Sequence, residues 1–228
     1  MKPHALFKAI STLSVLSILV LSSHCKKESI TSQTGTGSIV SQTTNINSFS
    51  EIEIINNCNV EVVTGTTNKI EYSDYENLIQ YLTFEVVGNK LTVKTLPENL
   101  SIQNSKAKAK IFTTGSLNGL SIKGSGSINL LDSFNDIKQC SISGSGNIQA
   151  SSSSTTVNLN CSIAGSGNIN LLKISSKDAI CTISGSGSIS VTVSNTLNGQ
   201  ITGSGSISYS GNPSTSVTVT GSGRLVKL

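Results

Sequence analysis

An all-β solenoid is the fold class this sequence predicts, and three observations predict it. The tripeptide Gly-Ser-Gly begins at Gly124, Gly144, Gly165, Gly185, Gly203 and Gly221, at spacings of 20, 21, 20, 18 and 18 residues. The copies share one frame, as in Ile142-Ser143-Gly144-Ser145-Gly146-Asn147-Ile148. Side chains alternate between the two faces of a strand, so Cys140, Ile142, Gly144, Gly146, Ile148 and Ala150 fall on one face. Ser141, Ser143, Ser145, Asn147 and Gln149 fall on the other. Strict alternation, frequent Gly and many β-branched residues exclude a helix.

A unit of 18 to 21 residues fits one coil of a parallel solenoid, and about six coils marked by Gly-Ser-Gly rise roughly 24 Å at the strand spacing. Glycines occupy both inward positions of each unit: Gly124 and Gly126, Gly144 and Gly146, Gly165 and Gly167, Gly185 and Gly187, Gly203 and Gly205, Gly221 and Gly223. That placement predicts a pinched corner with no room for a side chain, or a positive φ. The frame of leucine-rich repeats is missing. Calcium-binding β-rolls are excluded because Asp132, Asp136 and Asp178, the only acids after Leu120, hold no repeated position.

The residues before the repeats read as strands at Phe49–Ile55, Val60–Val63, Lys69–Tyr72, Leu82–Val87 and Leu91–Lys94, with Gly88-Asn89 as a turn. Asp74–Tyr81 reads as a short helix, and Ala107–Phe112 alternates into the first coil. Glu51, Glu53, Glu61, Glu71, Glu76 and Glu85 alternate with apolar residues and read as a solvated face. Because a solenoid needs its ends covered, this region is the expected N-terminal β cap.

Composition narrows the chemistry. Among 228 residues 12% are charged, 4% are aromatic and Trp is absent. The only histidines are His4 and His24, and the only arginine is Arg224. Lys2, Lys8, the apolar Ala9–Leu21 run and then Ser22, Ser23, His24 and Cys25 have the layout of a secretory leader, too short for a permanent span. Cys25 followed by Lys26, Lys27 and Glu28 resembles the lipobox of bacterial lipoproteins, in which that cysteine is acylated. His24 stands where that pattern has a small residue, and Leu21 lies one place early. The other reading is an ordinary signal peptide cut nearby. Residues 1–24 are thus read as signal peptide, 25–36 as lipidated cysteine and flexible tether, and 37–228 as the solenoid domain (37–115 the N-terminal β region, 116–228 the repeats). Without the leader, 14 basic residues face 12 acidic ones, which specifies no charged partner.

The blocks Thr34–Val40 (TGTGSIV), Phe49–Gly65 (FSEIEIINNCNVEVVTG) and Val86–Thr95 (VVGNKLTVKT), followed by the serial SGSG-I units, resemble the extracytoplasmic GIN-domain family of autotransporter-adhesin heads. The resemblance covers 35–228. It implies a right-handed β-helix-like fold in bacterial envelope proteins, often behind a lipoprotein signal, and it carries no catalytic motif. Shared fold is weak evidence of shared function.

Two sets of residues invite chemistry. Cys140, Cys161 and Cys181 hold one frame position and stack inside the solenoid. They read as small buried hydrophobes, as a disulfide between two of them, or as a metal site lacking a fourth ligand. No metal and no cofactor is expected. The outward row of Ser125, Ser145, Ser166, Ser186, Ser204 and Ser222, flanked by Asn147 and Asn168, is the repeats' candidate binding ladder for a glycan or a partner strand; the bland reading is turn and solvent preference. Three acids and one Arg over the repeats disfavour an enzyme. Lys106, Lys108 and Lys110 without stacking partners disfavour nucleic acid.

The expected function is a non-catalytic adhesion or scaffolding module of the bacterial cell envelope, exported and anchored by lipid to the outer membrane, on its periplasmic or its surface face, with an unknown protein or glycan ligand. The alternatives are a polysaccharide-binding protein using the Ser/Asn ladder, and an envelope-stress or assembly factor that recognises exposed strands. Self-association through the C-terminal edge is also expected.

Overall fold

The computed structural model describes residues 31–97 and 100–228. The leader and Cys25 lie outside the described residues. The elements run β1 (Thr31–Thr34), β2 (Ile39–Asn45), β3 (Glu51–Asn56), β4 (Asn59–Thr64), β5 (Lys69–Tyr75), a 3-10 turn (Ile79–Tyr81), β6 (Leu82–Val87), β7 (Lys90–Thr95), β8 (Leu100–Gln103) and β9 (Lys108–Thr113). The repeats follow as β10 (Gly119–Gly124), β11 (Ser127–Leu130), β12 (Gln139–Gly144), β13 (Asn147–Ala150), β14 (Ser154–Gly165), β15 (Asn168–Gly185), β16 (Ser188–Gly203), β17 (Ser206–Ser210), β18 (Ser214–Thr220) and β19 (Arg224–Lys227).

The repeats stack as parallel ladders in register, as their frame requires. Gly124, Gly144, Gly165, Gly185 and Gly203 align across successive coils, as do Ile122, Ile142, Ile163, Ile183 and Ile201. Those isoleucines, with Ile128, Ile148, Ile169, Ile189 and Ile207 from the second arm, fill the interior. The predicted corner is present at every Gly-Ser-Gly. The carbonyl of each corner's first glycine accepts from the next corner, as Gly144 O does from Ser166 N at 2.9 Å and Gly167 N at 3.1 Å.

The change from 20-residue to 18-residue coils occurs between β15 and β16. Leu171 faces Val191 and Ser175 faces Thr192, which leaves Leu172 to Ile174 without partners on β16, and a second irregularity follows between Ser176 and Asp178. Side chains satisfy the interrupted backbone there. Thr192 Oγ1 donates to Leu172 O at 2.8 Å, Ser176 Oγ donates to Thr192 O at 2.9 Å, and Ser194 Oγ donates to Ser176 O at 3.3 Å.

The first coil precedes the Gly-Ser-Gly repeats in the chain. β10 lies on β3 and β11 on β4, with Gly124 opposite Asn56. Asn56-Asn57-Cys58 therefore makes the corner that Gly-Ser-Gly makes above it, and Asn56 adopts a left-handed φ of 72°, which Asn tolerates better than most residues. From β4 the chain leaves the solenoid, builds the cap and returns as β10. In the cap, β7 runs parallel under β3 and β9 parallel under β4, while β6, β5 and β2 add antiparallel strands outside them. Tyr72 of β5 meets Phe84 of β6 edge to face at 4.7 Å.

Three expectations change. Thr31–Thr34 is strand β1, parallel to β8, so the segment read as tether is ordered from Thr31 onward. Asp74 and Tyr75 belong to β5, and the helix shrinks to one 3-10 turn. The Asp74 carboxylate is buried and accepts from Ser105 Oγ and from the Lys106 and Tyr75 amides, each at 2.8 Å, which ends β5 by local bonding instead of starting a helix. Glu53 does not lie on a solvated face. It is 9% exposed, with Lys123 Nζ at 3.0 Å and Lys90 Nζ at 3.7 Å.

Candidate functional site

The corners place two polar columns on the outside. Ser125, Ser145, Ser166, Ser186, Ser204 and Ser222 are all exposed. The backbone amides from Ser125 to Ser204 are committed to the corner below, as Ser145 N is to Gly124 O at 3.0 Å; their hydroxyls point to solvent. The neighbouring column is largely spent on itself. Asn168 Nδ2 donates to Asn147 Oδ1 at 3.0 Å, Ser127 Oγ donates to Asn59 Oδ1 at 2.8 Å, and the Ser188 and Ser206 hydroxyls lie 3.2 Å apart. Asn147 and Asn168 are thus rungs of an internal amide ladder, whereas the serine column is free to meet a ligand.

The cap adds a feature that a linear reading misses. β11, β4, β9, β5 and β2 lie side by side and enclose a groove of about 590 Å³. Register places Asn129, Glu61, Lys110, Glu71 and Thr43 in one row across it, and Ser127, Asn59, Lys108, Ser73 and Ser41 in the next. Two carboxylates and two ammonium groups make the lining neutral overall. Lys69 pairs with Glu71 at 2.6 Å and lies 4.5 Å from the Phe112 ring centroid. Among the described residues Lys108 and Lys110 are in no ion pair. The alternation of Glu61, Lys108 and Lys110 was visible in the sequence; that they share one groove depends on strand order.

At the other side of the first coil, Glu53 carries opposing influences. Burial raises its carboxyl, but the hydrogen bond and charge of Lys123, and then Lys90, prevail and hold it below the usual range. The arrangement is an ion cluster of one carboxylate and two ammonium groups, with Ser121 and Thr92 opposite Glu53 on the neighbouring strands.

Cys140, Cys161 and Cys181 stack in register, buried, with free thiols. Leu120 stands below them and Gly199 above. Hydrogen bonding to the adjacent thiol, with burial, pushes Cys161 and Cys181 well above the ordinary thiol range. Three thiols in one straight apolar column, with Leu120 and Gly199 at its ends, are small side chains packed in the core. Among the described residues no three His, Cys, Asp or Glu side chains converge as a metal site. Cys58 is also buried and free, its sulfur 3.7 Å from Thr95 Oγ1, and burial raises its thiol.

These features define a parallel β-solenoid with a β cap, a polar outer ladder and a neutral groove. The chain belongs to the family described as "Putative auto-transporter adhesin, head GIN domain", which matches residues 48–213. Among solved structures it is similar to a "putative lipid binding protein" from Parabacteroides distasonis, at 26% identity and a TM-score of 0.59, over 86% of this chain and 99% of that one. It is also similar to a "putative adhesin" from Bacteroides fragilis, at 17% identity and a TM-score of 0.61, over 86% and 100% of the two chains. A second "putative adhesin" from Parabacteroides distasonis matches at 20% identity and a TM-score of 0.52, again over 86% and 100%. The last two likenesses speak to the fold alone. No curated protein matches the chain.

Proposed function

We propose that this protein is an exported binding module of the bacterial envelope, held to the outer membrane through acylated Cys25, which acts in adhesion or scaffolding without catalysis. The observation that carries the reading is the neutral groove of β11, β4, β9, β5 and β2, about 590 Å³ in volume. Its balanced Glu61, Glu71, Lys108 and Lys110, set among Ser, Thr and Asn, suit an uncharged, hydroxyl-rich ligand such as a neutral glycan, and oppose a polyanion.

A glycan array on the purified protein, followed by titration of any hit, tests this. Lys110→Ala and Glu61→Ala are expected to weaken binding about tenfold each, the scale of one charge-assisted hydrogen bond. Loss on Ser145→Ala or Ser166→Ala instead moves the ligand to the serine ladder, the polysaccharide-binding alternative. Silence on glycans together with uptake of a fatty acid favours the lipid binding suggested by the description of one structural neighbour. Address is tested by protease shaving of intact and lysed cells with wild type and Cys25→Ala. Cleavage of tethered wild type on intact cells, with release of the variant, supports surface adhesion. Cleavage only after lysis rules adhesion out.

A further inference from the structure

We propose that the cavity beside the Asn56-Asn57-Cys58 corner is a second binding site, one that takes a small amphiphilic cation, its ammonium group against Asp74 and its short apolar body along Leu78, Leu82, Leu100 and Ile102. In the repeats each corner closes directly between its two arms. In the cap, β7 runs under β3 and β9 under β4, but between Thr95 and Lys108 the chain runs out through β8 before it returns. The corner missing from this layer leaves a cavity of about 380 Å³ between Cys58 and β8, a volume at the small end of the range for ligand sites. Leu78 is buried, whereas Leu82, Leu100 and Ile102 line the cavity only half-buried. Cys58 and Asp74 lie on the inner side of the cap sheet, and Glu61 and Lys110 of the groove lie on its outer side, so the two sites are separate.

Asp74 sets the charge of the ligand. It follows Ile70 and Tyr72 on the inward side of β5 and is 4% exposed at the wall of the cavity. A carboxylate so buried is ordinarily paired with a cation, and among the described residues no ammonium or guanidinium pairs with this one. Its hydrogen bonds come from neutral donors: Oδ1 accepts from the Tyr75 and Lys106 amides, and Oδ2 accepts from Ser105 Oγ. A carboxylate has about four acceptor positions, so one on Oδ2 is left for a donor in the cavity. A ligand ammonium brings that donor and the missing charge together, in a site where both count for more than in water. A hydroxyl brings the donor without the charge, and a ligand carboxylate would meet Asp74 as a like charge. Among the described residues Asp74 is the only acid lining the cavity, too few oxygens for a bare divalent cation, whereas the leucines and Ile102 offer an alkyl body apolar surface to cover.

Calorimetric titration of the full chain carrying Cys25→Ser, which takes no lipid, tests this with octylamine at neutral pH as the probe. Saturable one-to-one binding is expected, with octanol at least about tenfold weaker, the scale of a charge-assisted hydrogen bond, and with octanoate and ethylamine not binding. Asp74→Asn should bring octylamine and octanol to the same affinity, and Ile102→Ala should weaken octylamine about tenfold through lost apolar contact. Because Asp74→Asn also disturbs the bonds that end β5, Cys58 gives a readout without it. Its thiol lines the cavity, so octylamine should slow its labelling by methyl methanethiosulfonate in proportion to the sites filled, and leave the labelling of Cys140, Cys161 and Cys181 unchanged. Absence of saturable octylamine binding overturns the proposal. So does octanol or octanoate binding as tightly as octylamine, or octylamine binding that leaves Cys58 labelling unchanged.

Discussion

The two glycines of a corner are required for different reasons. Gly144 has a φ of 129°, which side-chain-bearing residues avoid, and a Cβ there would collide with the Gly124 carbonyl oxygen. Gly146 has no positive φ, but its Cβ would lie 2.7 Å from Ile122 Cγ2 and 2.8 Å from Gly126 O. Gly144→Ala and Gly146→Ala are each expected to cost about 2–4 kcal/mol, from backbone strain in the first case and overpacking in the second. Urea titrations of both variants check this, and a cost under about 0.5 kcal/mol, the level of an inert surface change, would refute the corner argument. Carboxylates set the acid limit. Asp132 accepts from Thr64 N and Thr64 Oγ1, both at 2.8 Å, and these bonds hold it below its ordinary range. Glu53 is lowered too, by Lys123 and Lys90 against its burial. A carboxyl lowered on folding stabilises above its unfolded pKa and loses that contribution as pH falls through the folded value. Stability should therefore be flat near neutrality and decline below about pH 4. Glu53→Gln should shrink the decline, as thermal melts across pH would show.

At the scale of elements, the long strands and the cap obey separate rules. β15 and β16 absorb a two-residue shortening of the coil by leaving the three residues Leu172 to Ile174 without partners on β16 and then adding one residue back, Ser194 and Asn195 standing against Lys177 alone, so the change of repeat spacing is confined to these two irregularities and leaves the inward columns in register. The isoleucine columns carry the packing: Ile142→Ala, at 2% exposure, should cost about 2–5 kcal/mol by denaturant unfolding. In the cap, stability depends on β5 meeting β6. A double-mutant cycle of Tyr72→Leu and Phe84→Leu should return a coupling of about 0.5–1.5 kcal/mol; a coupling near zero would mean that the two wings only touch. The corner at Asn56-Asn57-Cys58 emerged only from the structure: Ile54 and Val60 flank it as Ile142 and Ile148 flank Gly144, but it lacks the Gly-Ser-Gly mark, and the 68-residue offset from Asn56 to Gly124 separates it from the repeats because the chain builds the cap before resuming the stack.

For the whole molecule, the stacking implies graded stability, because each coil contacts only its neighbours. Hydrogen exchange should be slowest in β12 to β15, which are covered on both sides, and fastest in β18 and β19, which the structure leaves half-buried to exposed. Uniform protection would show instead that the solenoid unfolds as one unit. The alternation of Ile with Ser and the recurring Gly-Ser-Gly determined by themselves the parallel stack, its inward column and its corners, because a period of two and a fixed coil length leave a strand few other ways to bury one face. The buried thiols at Cys140, Cys161 and Cys181 followed from the same frame. Only the tertiary structure decided that Glu53 is a buried ion partner, that Thr31–Thr34 is ordered, and that Glu61, Glu71, Lys108 and Lys110 line one groove. Those outcomes depend on which strands lie side by side over separations of tens of residues, and alternation within a strand says which face a side chain takes but not what it will find there.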